Sequence, residues 1–75
     1  MHRQTDITPR EMQLLEILSA GSSNEEISQF LDISINTVKY HLKRIYRKLN
    51  IKNRVEAASY YRALQLQQKN QFQQQ

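Results

Sequence analysis

Apolar residues recur at three- and four-residue spacing in four stretches of this chain, and a helix-capping residue opens each stretch. The first opening is Thr8-Pro9-Arg10-Glu11. Thr8 supplies a capping hydroxyl, Pro9 suits the first helical position, and Glu11 can reach back to the cap amide. This predicts helix α1 over Pro9–Ser19, with Ile7 and Met12 as a hydrophobic staple, Met12, Leu14, Leu15 and Leu18 facing the core, and Gly21 as a left-handed stop. Ser23-Asn24-Glu25-Glu26 repeats the capping pattern and predicts a short α2 over Asn24–Leu31, in which Ile27, Phe30 and Leu31 are spaced to face inward together. Ser34, flanked by Ile33 and Val38, caps α3 over Ile35–Leu49, and Asn50 can end it in the left-handed region. Asn53-Arg54-Val55-Glu56 opens α4, from Arg54 to about Leu66, with Val55, Ala58, Tyr61 and Leu64 as its apolar side.

Only Asp32 and Ile33 lie between α2 and the cap of α3, and so short a connection forces a sharp angle between the two helices. One proline and one glycine argue against a turn-rich β fold. The expected architecture is all-α, a four-helix domain with a helix-turn-helix at its centre. The layout is an N-terminal arm over residues 1–6, the domain over 7–66, and a tail over 67–75 that is either disordered or a frayed end of α4. Seven glutamines among residues 65–75 mark that tail.

A chain of 75 residues has little room for both a core and a buried active-site pocket. There is no cysteine, no apolar run near the roughly 20 residues that cross a bilayer, and no signal-peptide pattern at the start. The chain is read as cytoplasmic, without membrane contact. No nucleophile–base pair, metal cluster or glycine-rich phosphate loop is present, so no catalytic residue, cofactor or metal is expected. His2 and His41 have no acid placed to orient them, and Tyr46, Tyr60 and Tyr61 read as core or interface.

Charge sharpens the picture. The net charge is +4, and seven of the eleven basic residues fall between Asp32 and Glu56, a stretch without acid. An ideal helix turns about 100° per residue, so with Val38 at zero, Leu42, Ile45 and Leu49 fall within roughly 40° and form the buried stripe of α3. Asn36, Lys39, Tyr40, Lys43 and Arg47 fall at roughly 100° to 200°, with Arg44 and Lys48 on the flank at roughly 240° to 280°. A merely solvated helix mixes signs to make four-spaced ion pairs; this one sets like charges four apart at Lys39, Lys43 and Arg47. An α-helix fits the major groove of B-form DNA, where Lys, Arg and Asn pair with base edges and apolar groups meet the thymine methyl. The expected base-reading set is Asn36, Lys39, Tyr40, Lys43 and Arg47. Phosphate anchors are expected at the amide-rich helix starts near Ser23, Asn24 and Ser34, and at Thr37, Arg44, Lys48 and Arg54.

These pieces, taken with Gly21 to Ile27, Leu31 to Leu42, Lys48 to Arg54 and Ala57-Ala58, resemble the LuxR-type helix-turn-helix domains of bacterial regulators, shared by the NarL/FixJ and MalT-like groups. The resemblance runs from Ile7 to Leu64. It implies a third helix in the major groove, with Lys39, Tyr40 and Lys43 at base-reading positions and Thr37 and Arg54 at phosphate positions. It also implies homodimers on paired half-sites, with α4 contributing the contact through Val55, Ala58 and Tyr61, and a response-regulator output role; most members carry a sensory or receiver domain ahead of this one, and others are free-standing. The chain departs from the pattern at Asn50, where glycine is usual, at Glu25, where lysine is frequent, at Gln13 and Ser28, and in the bulk of Tyr40.

Two other readings use the same residues. A protein-interaction module would turn the fold toward an acidic surface of RNA polymerase or of a partner regulator, and needs an exposed apolar patch away from α4. An RNA-binding domain is disfavoured, because side chains cannot enter the deep, narrow major groove of A-form RNA.

Overall fold

The computed structural model describes residues 6–73. Among them, regular structure consists of helices α1 (Pro9–Ser19), α2 (Asn24–Leu31), α3 (Ile35–Leu49) and α4 (Arg54–Gln73). The first three starts are held as their residues predict, and the fourth in part. The Thr8 hydroxyl accepts from the Glu11 amide at 3.1 Å while the Thr8 amide donates to Glu11 Oε1 at 3.0 Å. Ser23 and Glu26 exchange the same pair of bonds at 2.9 and 3.1 Å. The Ser34 hydroxyl accepts from the Thr37 amide, and Asn53 Oδ1 from the Glu56 amide. At α4 the reciprocal bond shifts by one residue: Glu56 reaches the amide of Lys52.

The ends of α2 and α3 share one geometry. Asp32 and Asn50 both adopt the left-handed region, at φ 58° and 56°. Ile33 then donates back to Ser28, and Ile51 to Tyr46, both at 3.0 Å, which closes the last helical carbonyls. Ile33 and Ile51 pack against the core, so each turn is locked by an apolar side chain just past the left-handed residue. This makes the α2–α3 connection tight.

The core gathers Leu14, Leu15 and Leu18 of α1, Ile27 of α2, Val38, Leu42 and Ile45 of α3, and Ala57 of α4. Helix α1 lies at the centre and packs against the other three. Each large side chain buried here contributes roughly 1.5–3 kcal/mol relative to exposure.

Four expectations need correction. Phe30 is 72% exposed. Helix α2 turns Ile27, Ser28 and Leu31 inward instead, and the Ser28 hydroxyl is satisfied by the Glu25 carbonyl at 2.8 Å. With Ile27, Ser28 and Leu31 turned inward, Phe30 falls roughly 100° from their mean direction, on the outer side of α2. In α1 the innermost stripe is Glu11, Leu14, Leu15 and Leu18, with Met12 only partly buried. In α4 the buried residue is Ala57, flanked by partly buried Ala58, Tyr60 and Tyr61, while Val55 is 77% exposed. Val55, Ala58 and Tyr61, each three apart, drift by about 60° per step and do not share one face. Finally, α4 continues past Leu66 to Gln73, since no glycine or proline follows Arg54 and glutamine is a good helix former. Apart from Asp6, the arm assigned to residues 1–6, with His2, lies outside the described residues, as do the last two residues of the tail.

Candidate nucleic-acid interface

The outward face of α3 carries Asn36, Lys39, Tyr40, Lys43 and Arg47, all exposed. Most of that face borders an open groove of about 660 Å³, lined by Asn36, Lys39, Tyr40, Leu42, Lys43 and Tyr46 of α3 together with Asn24 of α2 and Arg54 of α4. A smaller concavity, sharing Asn24, Lys39 and Arg54 with it, is completed by Ser23, Ile35 and the acidic Glu25. The fold thus brings the start of α2, the reading face of α3 and the start of α4 to one side. Arg47 is exposed on the same helix but does not line the groove.

Arg54 fastens this side. Its guanidinium donates to Asn24 Oδ1 at 3.1 and 3.2 Å and to the Ser22 carbonyl at 2.8 Å. The first residue of α4 is thereby tied to the first residue of α2, 30 positions earlier. Ser34 and Thr37 hydroxyls sit 2.9 Å apart at the start of α3. Burial pushes the Tyr46 hydroxyl up, opposed by the Arg54 charge, with a net rise that keeps it a neutral donor. Tyr40 stacks edge-on against His41, and the Arg44 guanidinium lies 5.8 Å from its ring centre.

Charge divides along α3. Among the described residues, Lys39, Lys43 and Arg47 make no ion pair. Arg44 and Lys48, expected as phosphate anchors, instead turn toward α1. Lys48 Nζ lies 2.8 Å from Glu11 Oε1 and Arg44 Nε lies 3.6 Å from Glu11 Oε2. Glu11 caps α1 as its position predicts, and it does so while 2% exposed. Burial alone pushes its carboxyl up. The hydrogen bonds from Lys48 and the Thr8 amide, with the charges of Lys48 and Arg44, outweigh that and hold it below its ordinary value. The signal for this was present: Glu11 shares the three-, four- and seven-residue spacing of Leu14, Leu15 and Leu18. The dimer residues expected on α4 lie elsewhere. Val55 and Ala58 border a separate concavity with Gly21 and Arg62, and Tyr61 packs on the core.

Two helices at a tight turn, the second presenting unpaired cations beside two helix starts, define a helix-turn-helix domain. Comparison with known proteins gives the family. Residues 5–61 match the bacterial regulatory proteins of the luxR family. The chain is 47% identical over 55 residues to the HTH-type transcriptional regulator MalT of Vibrio campbellii, covering 73% of this chain and 6% of MalT. It is 44% identical over 52 residues to the nitrate/nitrite response regulator protein NarL of Escherichia coli, covering 69% and 24%. It is 46% identical over 54 residues to the probable csgAB operon transcriptional regulatory protein of Salmonella typhimurium, covering 72% and 25%. The chain belongs to the luxR family and carries its DNA-binding helix-turn-helix domain; it spans a quarter or less of the length of these relatives.

Proposed function

We propose that this domain reads double-stranded DNA in a sequence-specific way as the DNA-binding part of a bacterial transcription regulator, with α3 in the major groove. The observation that carries this reading is the row of unpaired Lys39, Lys43 and Arg47 with Asn36 and Tyr40, set beside the starts of α2 and α4. Lys39, Lys43 and Arg47 donate to guanine edges, Asn36 pairs with adenine, and Tyr40 meets the thymine methyl. Ser23, Asn24, Ser34, Thr37 and Arg54 hold phosphates and set the register. Arg44 and Lys48, engaged by Glu11, are left out of that set. The domain acts without catalysis, in the cytoplasm.

On paired half-sites it acts as a homodimer through α4. Val55 and Leu66, both exposed, stand 11 residues apart and therefore about 20° apart around that helix. Contact with RNA polymerase would use surface away from α3. A purely protein-binding role would draw on Phe30 and Ile35, the large apolar side chains exposed outside α4 and the base-reading set.

The test is selection of bound sequences from random duplex DNA, followed by a salt titration on the recovered site. A short paired motif is expected, with the log of affinity falling against the log of salt by about 0.9 per phosphate neutralised. Lys43→Ala should relax sequence choice. A flat salt response, or a Lys43→Ala variant with unchanged affinity and preference, would sink the reading.

A further inference from the structure

The cations of α3 form two sets. Lys39 and Lys43 face the groove, and Arg47 is exposed beside it. Arg44 and Lys48 converge on the buried Glu11 carboxylate of α1. Lys48 is doubly held, because its Nζ also donates to the Asp6 carbonyl at 3.2 Å. Its side chain is 25% exposed, whereas that of Arg44 is 47% exposed, 3.6 Å from Glu11 and 5.8 Å from the Tyr40 ring. Lys48 is therefore fixed firmly and Arg44 loosely.

We infer that Glu11 is a specificity-determining residue, which withholds Lys48 and Arg44 from DNA and so keeps α3 in its reading register. The inference rests on the DNA-binding reading above. Affinity for any duplex rises with the number of phosphates that a protein neutralises, whatever the sequence. Arg44 and Lys48 stand roughly 100° to 180° around α3 from Lys39 and Lys43. A helix gripped from that flank lies rolled in the groove, with its base-reading side chains turned away. Such contacts strengthen binding to every sequence and reading of none. A single carboxylate that pairs firmly with Lys48 and draws Arg44 toward it halves the net charge of that flank, which disfavours the rolled mode and leaves the reading mode untouched. Glu11 acts through other side chains, so it is a positioning residue and not itself a DNA contact.

The experiment measures affinity by fluorescence anisotropy for the selected site and for a random duplex, across a salt series, for the intact chain and for Glu11→Gln, Lys48→Gln and Lys43→Ala. Glutamine at 11 keeps an oxygen for the Thr8 amide and loses the charge. Expected for Glu11→Gln is tighter binding to random duplex, a salt slope steeper by about 0.9 for each phosphate gained, and a several-fold fall in the ratio of selected to random affinity. Unchanged slope and ratio overturn the inference. Should Glu11→Gln melt too early to assay, Lys48→Gln decides. Equal slopes for it and for the unaltered chain support the inference, and a slope shallower by about 0.9 overturns it, because Lys48 then touches a phosphate already. Loss of preference in Lys43→Ala alongside an unchanged Glu11→Gln leaves the DNA reading standing without this inference. Absence of salt-dependent binding by the unaltered chain overturns both.

Discussion

Replacing Arg54 by alanine removes a fork that ties the start of α4 to the start of α2. The guanidinium serves two acceptors, Asn24 Oδ1 and the Ser22 carbonyl, through three contacts of 2.8–3.2 Å. A hydrogen bond from a charged donor contributes roughly 1.5–3 kcal/mol when shielded and far less in water. Arg54 is half-buried, so about 1–2 kcal/mol for the pair of acceptors is the reasonable magnitude. In a domain of this size each kcal/mol moves Tm by about 4–8 °C, so Arg54→Ala should melt roughly 5–15 °C lower. Lysine keeps the charge but cannot fork, so Arg54→Lys should recover part of the loss. Far-UV circular dichroism on heating gives Tm, and titration with selected and random duplex gives binding. Arg54→Ala should weaken both duplexes by a similar factor, since a phosphate contact carries no sequence information. An unchanged Tm would refute the claim that the fork couples the two helices. A loss confined to the selected duplex would refute its assignment to phosphate.

Within α2, Ile27→Ala should destabilise by about 2–5 kcal/mol through lost burial and a residual cavity, whereas Phe30→Ala should change stability by no more than about 0.5 kcal/mol, and urea denaturation would rank them. The folded-state carboxyl of Glu11 lies below its ordinary value of 4.5, so its stabilisation is complete above that value and lost as pH falls through the lower folded-state one. Melting the unaltered chain and Glu11→Gln from about pH 6 down to about pH 3 should show their difference shrinking at the acid end, and a constant gap would contradict the ion pairing. At Asn50, φ 56°, alanine should cost about 1 kcal/mol in thermal stability, and glycine should not.

The helix starts and the ends of α1, α2 and α3 were legible because capping is local: a hydroxyl, an acid three residues on, and Asn50 at a helix end act over one turn, whereas no stop residue marks the end of α4. The α3 stripe was legible because one helix with a strong periodic pattern has only one way to face a core. Helix phase failed where the pattern was weak. In α2 the position of Phe30 depends on Ser28, a polar residue buried because its hydroxyl bonds to the preceding turn. In α4 two adjacent alanines and two adjacent tyrosines leave the rotation undetermined until α1 packs against it. The site was legible as a face but not as a network. Its deciding contacts join residues 30 and 37 positions apart, Arg54 to Asn24 and Lys48 to Glu11, and no local rule pairs them.

The same network explains how α3 tolerates its own charge. Like charges four apart cost an isolated helix about 0.2–0.5 kcal/mol per pair, and Lys39, Lys43 and Arg47 make two such pairs. Against that stand the Ser34 cap, worth about 1 kcal/mol, and favourable placement of Arg47 and Lys48 in the last turn, near the negative end of the helix. Larger than either is the burial of Val38, Leu42 and Ile45. Tertiary packing thus holds the reading face in a helical geometry that its side chains alone oppose slightly. Glu11 relieves the far flank, where charge would have no reading role, and among the described residues no acid forms an ion pair with the near one. The repulsion that persists is confined to the face open to the groove, where a polyanion would remove it.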